Sequence, residues 1–185
     1  MNEFSTARIK SALRRLEELN APEKYKKIME MRDKVNLCES PAFKTLYNGF
    51  YRVLFRDKEW YGFYYRLMQE KKGQAVSFED IFTAILKKTG RFEASFSAKL
   101  LHTLRPEFPA WDMWIGKNTG IKIPAYNLIK RKDKIIERYG LLVTWFNDYK
   151  KSENGKTMLR LFDGCFPKSG ITSTKKIDLV LWQIR

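Results

Sequence analysis

Cys38, His102 and Cys165 are the side chains best suited to metal ligation or nucleophilic attack, and their spacing serves neither. His102 is the sole histidine, and the two cysteines form no CxxC or Cys/His cluster. A zinc site would lack its four ligands, so neither a metal nor another cofactor is expected. The thiols fit reduced core positions better than a disulfide framework. His102 shares the apolar spacing of Leu100, Leu101 and Leu104, as a packed or capped histidine does. Asp112 stands apart from the other acidic residues. It follows Pro109 and lies in Trp111-Asp112-Met113-Trp114-Ile115-Gly116-Lys117. A carboxylate there reads as the N-cap of the helix that follows it, for about 1 kcal/mol.

The second chemical signal is charge. The chain has 185 residues, 36 Lys and Arg against 21 Asp and Glu, and a net charge of +15. Such an excess repels itself in a folded chain and is most simply explained by a polyanionic partner, nucleic acid first, with a membrane surface or an acidic protein as the other candidates. The candidate phosphate contacts are Arg91, Lys117, Lys122 and the run that includes Lys130, Arg131 and Lys134. A run of this kind is also what the solvated face of an amphipathic helix looks like, and Lys87-Lys88 and Lys150-Lys151 stand where helix C-termini favour cations.

These residues need elements to position them, and the apolar periodicity supplies only helices. Ile9, Leu13 and Leu16 mark a first helix behind Ser5 and Thr6, and Pro22 opens a second, with Tyr25 and Ile28 on its face. Ser40-Pro41 opens a third, read from Phe43 through Tyr47 and Tyr51 to Leu54. Trp60 to Met68 is aromatic nearly all round, as a helix buried on several sides or lining a pocket must be. Ser77 with Asp80 reads as a variant capping box, Gly90 as the stop, and Phe92 to Leu104 as the next helix. Trp111 to Lys117 forms a short helix closed by Gly120. After Pro124 a long charged helix carries Leu128, Ile129, Ile135, Tyr139, Leu142 and Phe146 on its apolar side, and Gly140 bends or divides it. Asn154-Gly155 reads as a turn before a helix with Met158 and Phe162, and Ser173 or Thr174 as the cap of the last helix. No period-two run of β-branched residues occurs, so the fold class is all-α, a compact multi-helix protein. A single domain over 1-185 is expected, with a hairpin element at about 77-121 and C-terminal helices over 126-185; two small helical subdomains remain the other arrangement.

From Ile81 to Ile121 the chain resembles the helix-hairpin-helix superfamily of base-excision DNA glycosylases. The resemblance rests on the helix pair about Lys88-Thr89-Gly90-Arg91, the Pro-containing loop, Asp112 at the start of the next helix, Ile115 and Lys117 three and five places on, Ala98, and Gly120-Ile121. It implies an all-helical DNA-binding fold in which Asp112 stabilises the positive charge that builds on deoxyribose as an N-glycosidic bond breaks, or positions the attacking water. It implies aromatic stacking on an extruded base, for which Trp60, Tyr64, Trp111 and Trp114 are the candidates. Arg91, Ser95 and Ser97 would hold phosphate oxygens at the hairpin. Phe92-Glu93-Ala94-Ser95 occupies the place of the second hairpin glycine and of the bifunctional enzymes' lysine. The implied enzyme is therefore a monofunctional hydrolase acting in DNA repair, with Lys99 as the fallback nucleophile.

Other readings of the same residues stay open. Lys99 is also an ordinary solvated lysine, and Ser95 and Ser97 are also small packing residues. The helix pair at 77 to 104 is also a helix-turn-helix, although Glu93, Ala94, Ser95 and Ser97 are poor groove readers. A non-enzymatic nucleic-acid-binding protein is the main alternative, and a protein-interaction module the second. Double-stranded DNA is the expected partner. No signal-peptide pattern follows Met1, and no apolar run approaches the roughly 20 residues of a membrane span, so a cytoplasmic protein that uses no membrane is expected.

Overall fold

Most helices of this chain start where a short polar side chain accepts a hydrogen bond from a backbone N–H that the helix leaves unpaired. Ser5 does this for Arg8, Ser40 for Phe43 and Asp57 for Trp60. At Ser77 the capping box is reciprocal, since the Asp80 carboxylate also accepts from the Ser77 N–H at 2.9 Å. The computed structural model describes residues 3–125 and 130–184, and over these it is all-helical, without a strand. In chain order the helices are α1 Thr6–Glu18, α2 Ala21–Lys34, α3 Pro41–Tyr51, α4 Lys58–Lys71, α5 Phe78–Thr89, α6 Ala94–Leu104, α7 Met113–Thr119, α8 Arg131–Lys151, α9 Glu153–Cys165 and α10 Ser173–Gln183. Leu128 and Ile129, expected on the apolar side of the long helix, lie outside the described residues. Among the described residues no helix is long and apolar enough to cross a membrane.

The chain divides into two compact units, one built from residues 1–22 and 106–185, the other from residues 23–105. In the first, α10 packs on α1, α7, α8 and α9. That is why α10 is buried nearly all round, including an ion pair of 2.7 Å between Lys175 Nζ and Asp178 Oδ2. The stripe Ile9, Leu13 and Leu16 of α1 is fully buried. Each such side chain contributes about 1.5–3 kcal/mol.

The second unit packs α4, α5 and α6 on one another. Its core is aromatic. Trp60 stacks on Tyr64, with ring centroids 4.7 Å apart, and Tyr47 stacks on Phe43 at 5.6 Å. The all-round aromatic character of α4 thus fills space. Two buried phenols share a chain of bonds: Tyr64 Oη donates to the Phe96 carbonyl at 2.9 Å and lies 2.9 Å from Tyr47 Oη. Tyr64 has one proton, so Tyr47 donates to Tyr64.

Four readings of the helices are corrected. Asn154-Gly155 is not a turn but the first turn of α9, capped by Ser152. Asn154 instead anchors the segment before α1: its amide nitrogen donates to the Phe4 carbonyl and its oxygen accepts from the Phe4 N–H, both at 2.9 Å. The cap of α10 is Thr172, one residue before Ser173; its hydroxyl accepts from the Lys175 N–H and donates to the Pro106 carbonyl. Leu54 lies past the end of α3, because Arg52 turns left-handed at φ 53° and stops that helix. The long helix runs unbroken through Gly140.

Candidate functional site

The Pro-containing loop at 106–111 has no regular hydrogen-bond ladder, and side chains of its own unit take that role. Thr172 and Thr174 donate to the carbonyls of Pro106 and Glu107 at 2.9 and 3.1 Å, and Tyr139 Oη donates to that of Pro109 at 2.8 Å. Trp111 is fully buried, and its indole N–H donates to the Ile121 carbonyl at 2.8 Å, tying the entry of α7 to its exit. The exit is held in turn by Arg138, which donates to the Lys122 carbonyl at 2.9 Å.

Asp112 emerges from this clamped loop as the N-cap of α7. Its Oδ1 accepts from the N–H groups of Trp114 and Ile115, at 2.9 and 3.0 Å. The same residue lines a cleft of about 400 Å³ together with Met113, Gly116, Lys117, Lys122 and Ile123. Capping and cleft lining are therefore both properties of Asp112. Gly116 allows the cleft's form, since a Cβ there would press on the Ile121 carbonyl oxygen and the Lys122 Cα, each 3.2 Å away. Met113 is 69% exposed at the rim. Lys117 and Lys122 are exposed, and Lys117 Nζ stands 5.1 Å from the centroid of the half-buried Trp114 ring. Sequence reading passed over Met113 and Gly116; a glycine inside a seven-residue helix was the available signal.

The remaining expected residues are distributed as follows. Arg131 is buried with Nε toward the Pro124 carbonyl, which removes it from any exposed phosphate stripe. Lys134 pairs with Glu137 at 2.7 Å, and Lys130 is the exposed, left-handed residue that starts α8. Arg91, Ser95, Ser97, Lys99, Trp60 and Tyr64 all belong to the unit of residues 23–105, whereas Asp112 belongs to the other. Ser97 is fully buried and donates back to the Glu93 carbonyl at 2.9 Å, a packing role that leaves no reach for a phosphate. Ser95 is half-buried and Arg91 exposed. Lys99 is buried along α6, with Nζ 5.3 Å from the Phe96 ring centroid. Tyr64 and Trp111 are core residues without exposed ring faces, so of the four expected stacking aromatics Trp114 is the most accessible. Trp60 is buried but borders a smaller cleft of about 150 Å³, which Lys88 and Arg91 also line.

Among the described residues no group of three His, Cys, Asp or Glu is placed to hold a metal ion. Comparisons with family models, with curated proteins and with solved structures return no match to this chain.

Proposed function

We propose that this chain is a DNA-binding protein whose cleft at Asp112 admits an extruded nucleotide and hydrolyses its N-glycosidic bond. The observation that carries the reading is that one acidic residue and two exposed lysines, Asp112, Lys117 and Lys122, line one cleft. Its volume falls within the range of about 300–1,000 Å³ usual for small-ligand sites. The two ends of a nucleotide call for opposite charges. Phosphate oxygens are met by the lysines, and the carbocation-like sugar of the transition state by the carboxylate. The C1′–N bond breaks with its electron pair going to the base, water adds its oxygen to C1′, and the proton released passes through Asp112 or solvent to the departing base. The half-buried Trp114 holds the Lys117 ammonium over one face of its ring. Lys99 has no part in the reaction, so no Schiff base forms.

Oligonucleotide duplexes with a panel of damaged bases test the reading. Wild type releases the base from at least one of them, and Asp112→Asn does not. Asparagine retains the N-cap, so the substitution removes charge without unravelling α7. Full activity in Asp112→Asn, or no abasic product from any duplex, would end the catalytic reading. Borohydride treatment of an abasic duplex is expected to trap no adduct. The second reading, a non-enzymatic nucleic-acid-binding protein, is favoured by the capping bonds of Asp112, which account for an aspartate there without chemistry. It predicts salt-sensitive binding with no product.

A further inference from the structure

The loop between α3 and α4 carries Phe55, which is 93% exposed. Its backbone is left-handed, with φ 61°, a region that a bulky L residue rarely enters because its Cβ crowds the following carbonyl. Glycine or asparagine would relieve the backbone crowding and remove the exposed ring. A phenylalanine here therefore serves neither local conformation nor burial.

The ring nevertheless projects from a fixed base. Arg56 donates from Nη1 to the Phe55 carbonyl at 2.9 Å, and from Nε and Nη2 to Glu93 Oε1 at 3.1 and 2.8 Å. Its guanidinium lies over the rings of Trp60 and Phe96, 5.6 and 4.9 Å from their centroids. Two residues earlier, Tyr61 Oη donates to the Val53 carbonyl at 2.7 Å. Through Glu93 the tip is tied to the turn between α5 and α6, where Arg91 is exposed.

The surroundings of the ring select its partner. Arg52 and Lys58 are exposed, and among the described residues neither forms an ion pair. Of the acidic neighbours, Asp57 caps α4, accepting from the Trp60 N–H at 2.7 Å, and Glu59 meets Lys88 at 3.3 Å. Leu54, 43% exposed, and Phe55 form an apolar tip in a chain of net charge +15, with Arg52 and Lys58 exposed three residues to either side of Phe55. This pairing of a flat ring with cations suits a base carried on a polyanionic strand.

We propose that Phe55 is a stacking platform for an unpaired nucleobase, and that Arg52 and Lys58 hold the flanking phosphates. The unit of residues 23–105 thereby prefers single-stranded or unpaired stretches to intact duplex. This inference rests on the nucleic-acid reading above but not on the chemistry at Asp112.

Fluorescence anisotropy with a labelled single strand and with the matching duplex, at low and moderate salt, tests it. Phe55→Ala is expected to weaken single-strand binding about tenfold or more and to leave duplex binding within about twofold. Phe55→Trp is expected to keep the single-strand affinity of wild type and to show a larger fluorescence quench on binding than wild type does. Because the ring is exposed, Phe55→Gly is expected to be at least as resistant to thermal unfolding as wild type, which a structural role would not allow. Equal losses on both oligonucleotides, or no loss on either, would overturn the stacking platform while leaving DNA binding intact. Phe55-dependent binding to phosphatidylserine vesicles, without any to oligonucleotides, would reassign the tip to a lipid surface and overturn both readings. An inactive cleft with the Phe55 effect retained would remove the proposed reaction and keep this inference.

Discussion

Gly155 lies so close beneath the Tyr149 carbonyl that a Cβ built on it would overlap the oxygen. Ser152 completes the junction of α8 and α9, donating from its hydroxyl to that same carbonyl at 2.9 Å and accepting from the Gly155 N–H at 3.1 Å. The obstacle is backbone, which cannot swing aside as a side chain does. Gly155→Ala is therefore expected to lower stability by about 2–3 kcal/mol in urea denaturation. Gly140→Ala is the matched control: it lies in α8 with open space around the new methyl, and is expected to raise stability by up to about 1 kcal/mol. A similar response of the two variants would contradict this account of the junction.

The ion pair of Lys175 and Asp178 is 2% and 6% exposed. Removing one partner strands the other charge in a low-dielectric core. Lys175→Met alone is expected to cost about 3–5 kcal/mol, and Lys175→Met with Asp178→Leu to recover most of that. A double-mutant cycle by chemical denaturation measures both; a double variant no better than the single one would refute the electrostatic explanation.

Burial holds the phenols of Tyr47, Tyr64 and Tyr139 above the usual tyrosine range, and neighbouring charge adds to the effect, from Tyr51 at Tyr47, from Tyr47 at Tyr64 and from Asp178 at Tyr139. Below about pH 10 both folded and unfolded chains keep these protons and stability is fully present. Above it the unfolded chain releases them and the folded chain does not, so stability falls as pH rises, by about 1.4 kcal/mol per pH unit for each such tyrosine. Tyrosinate absorbance followed through urea unfolding at about pH 11 should therefore show a step at the unfolding transition. A smooth ionisation before unfolding would place these phenols in contact with water.

Asp112 has a structural role whether or not it has a chemical one. Asp112→Ala is expected to cost about 1 kcal/mol, and Asp112→Asn only a few tenths. Thermal unfolding of both variants separates capping from activity: if Asn were as destabilising as Ala, a loss of activity in Asp112→Asn could no longer be assigned to charge alone.

Much of the fold was legible because its signals are local. Ser77 and Asp80 form the capping box their spacing announces, and Gly90 and Gly120 take the left-handed conformations that end α5 and α7. Gly155 misled because a glycine permits either a turn or a close approach, and only the carbonyl of Tyr149, brought in by the end of α8, decides which. Periodicity could not place Trp111 or Tyr64, since a core aromatic and a stacking aromatic share the same spacing. Phe55 escaped notice for a related reason: nothing local in Leu54-Phe55-Arg56 reports that Arg56 reaches Glu93 and leaves the ring outside.

The unit of residues 23–105 interrupts the other in sequence, and this fixes an order of events during synthesis. A chain made from its N-terminus completes the interrupting unit while α1 still lacks α9 and α10, the helices that cover its apolar stripe. Until residues 153 onward emerge, Ile9, Leu13 and Leu16 have no permanent cover within their own unit. During that interval the stripe is uncovered apolar surface of the kind that makes a nascent chain prone to aggregation.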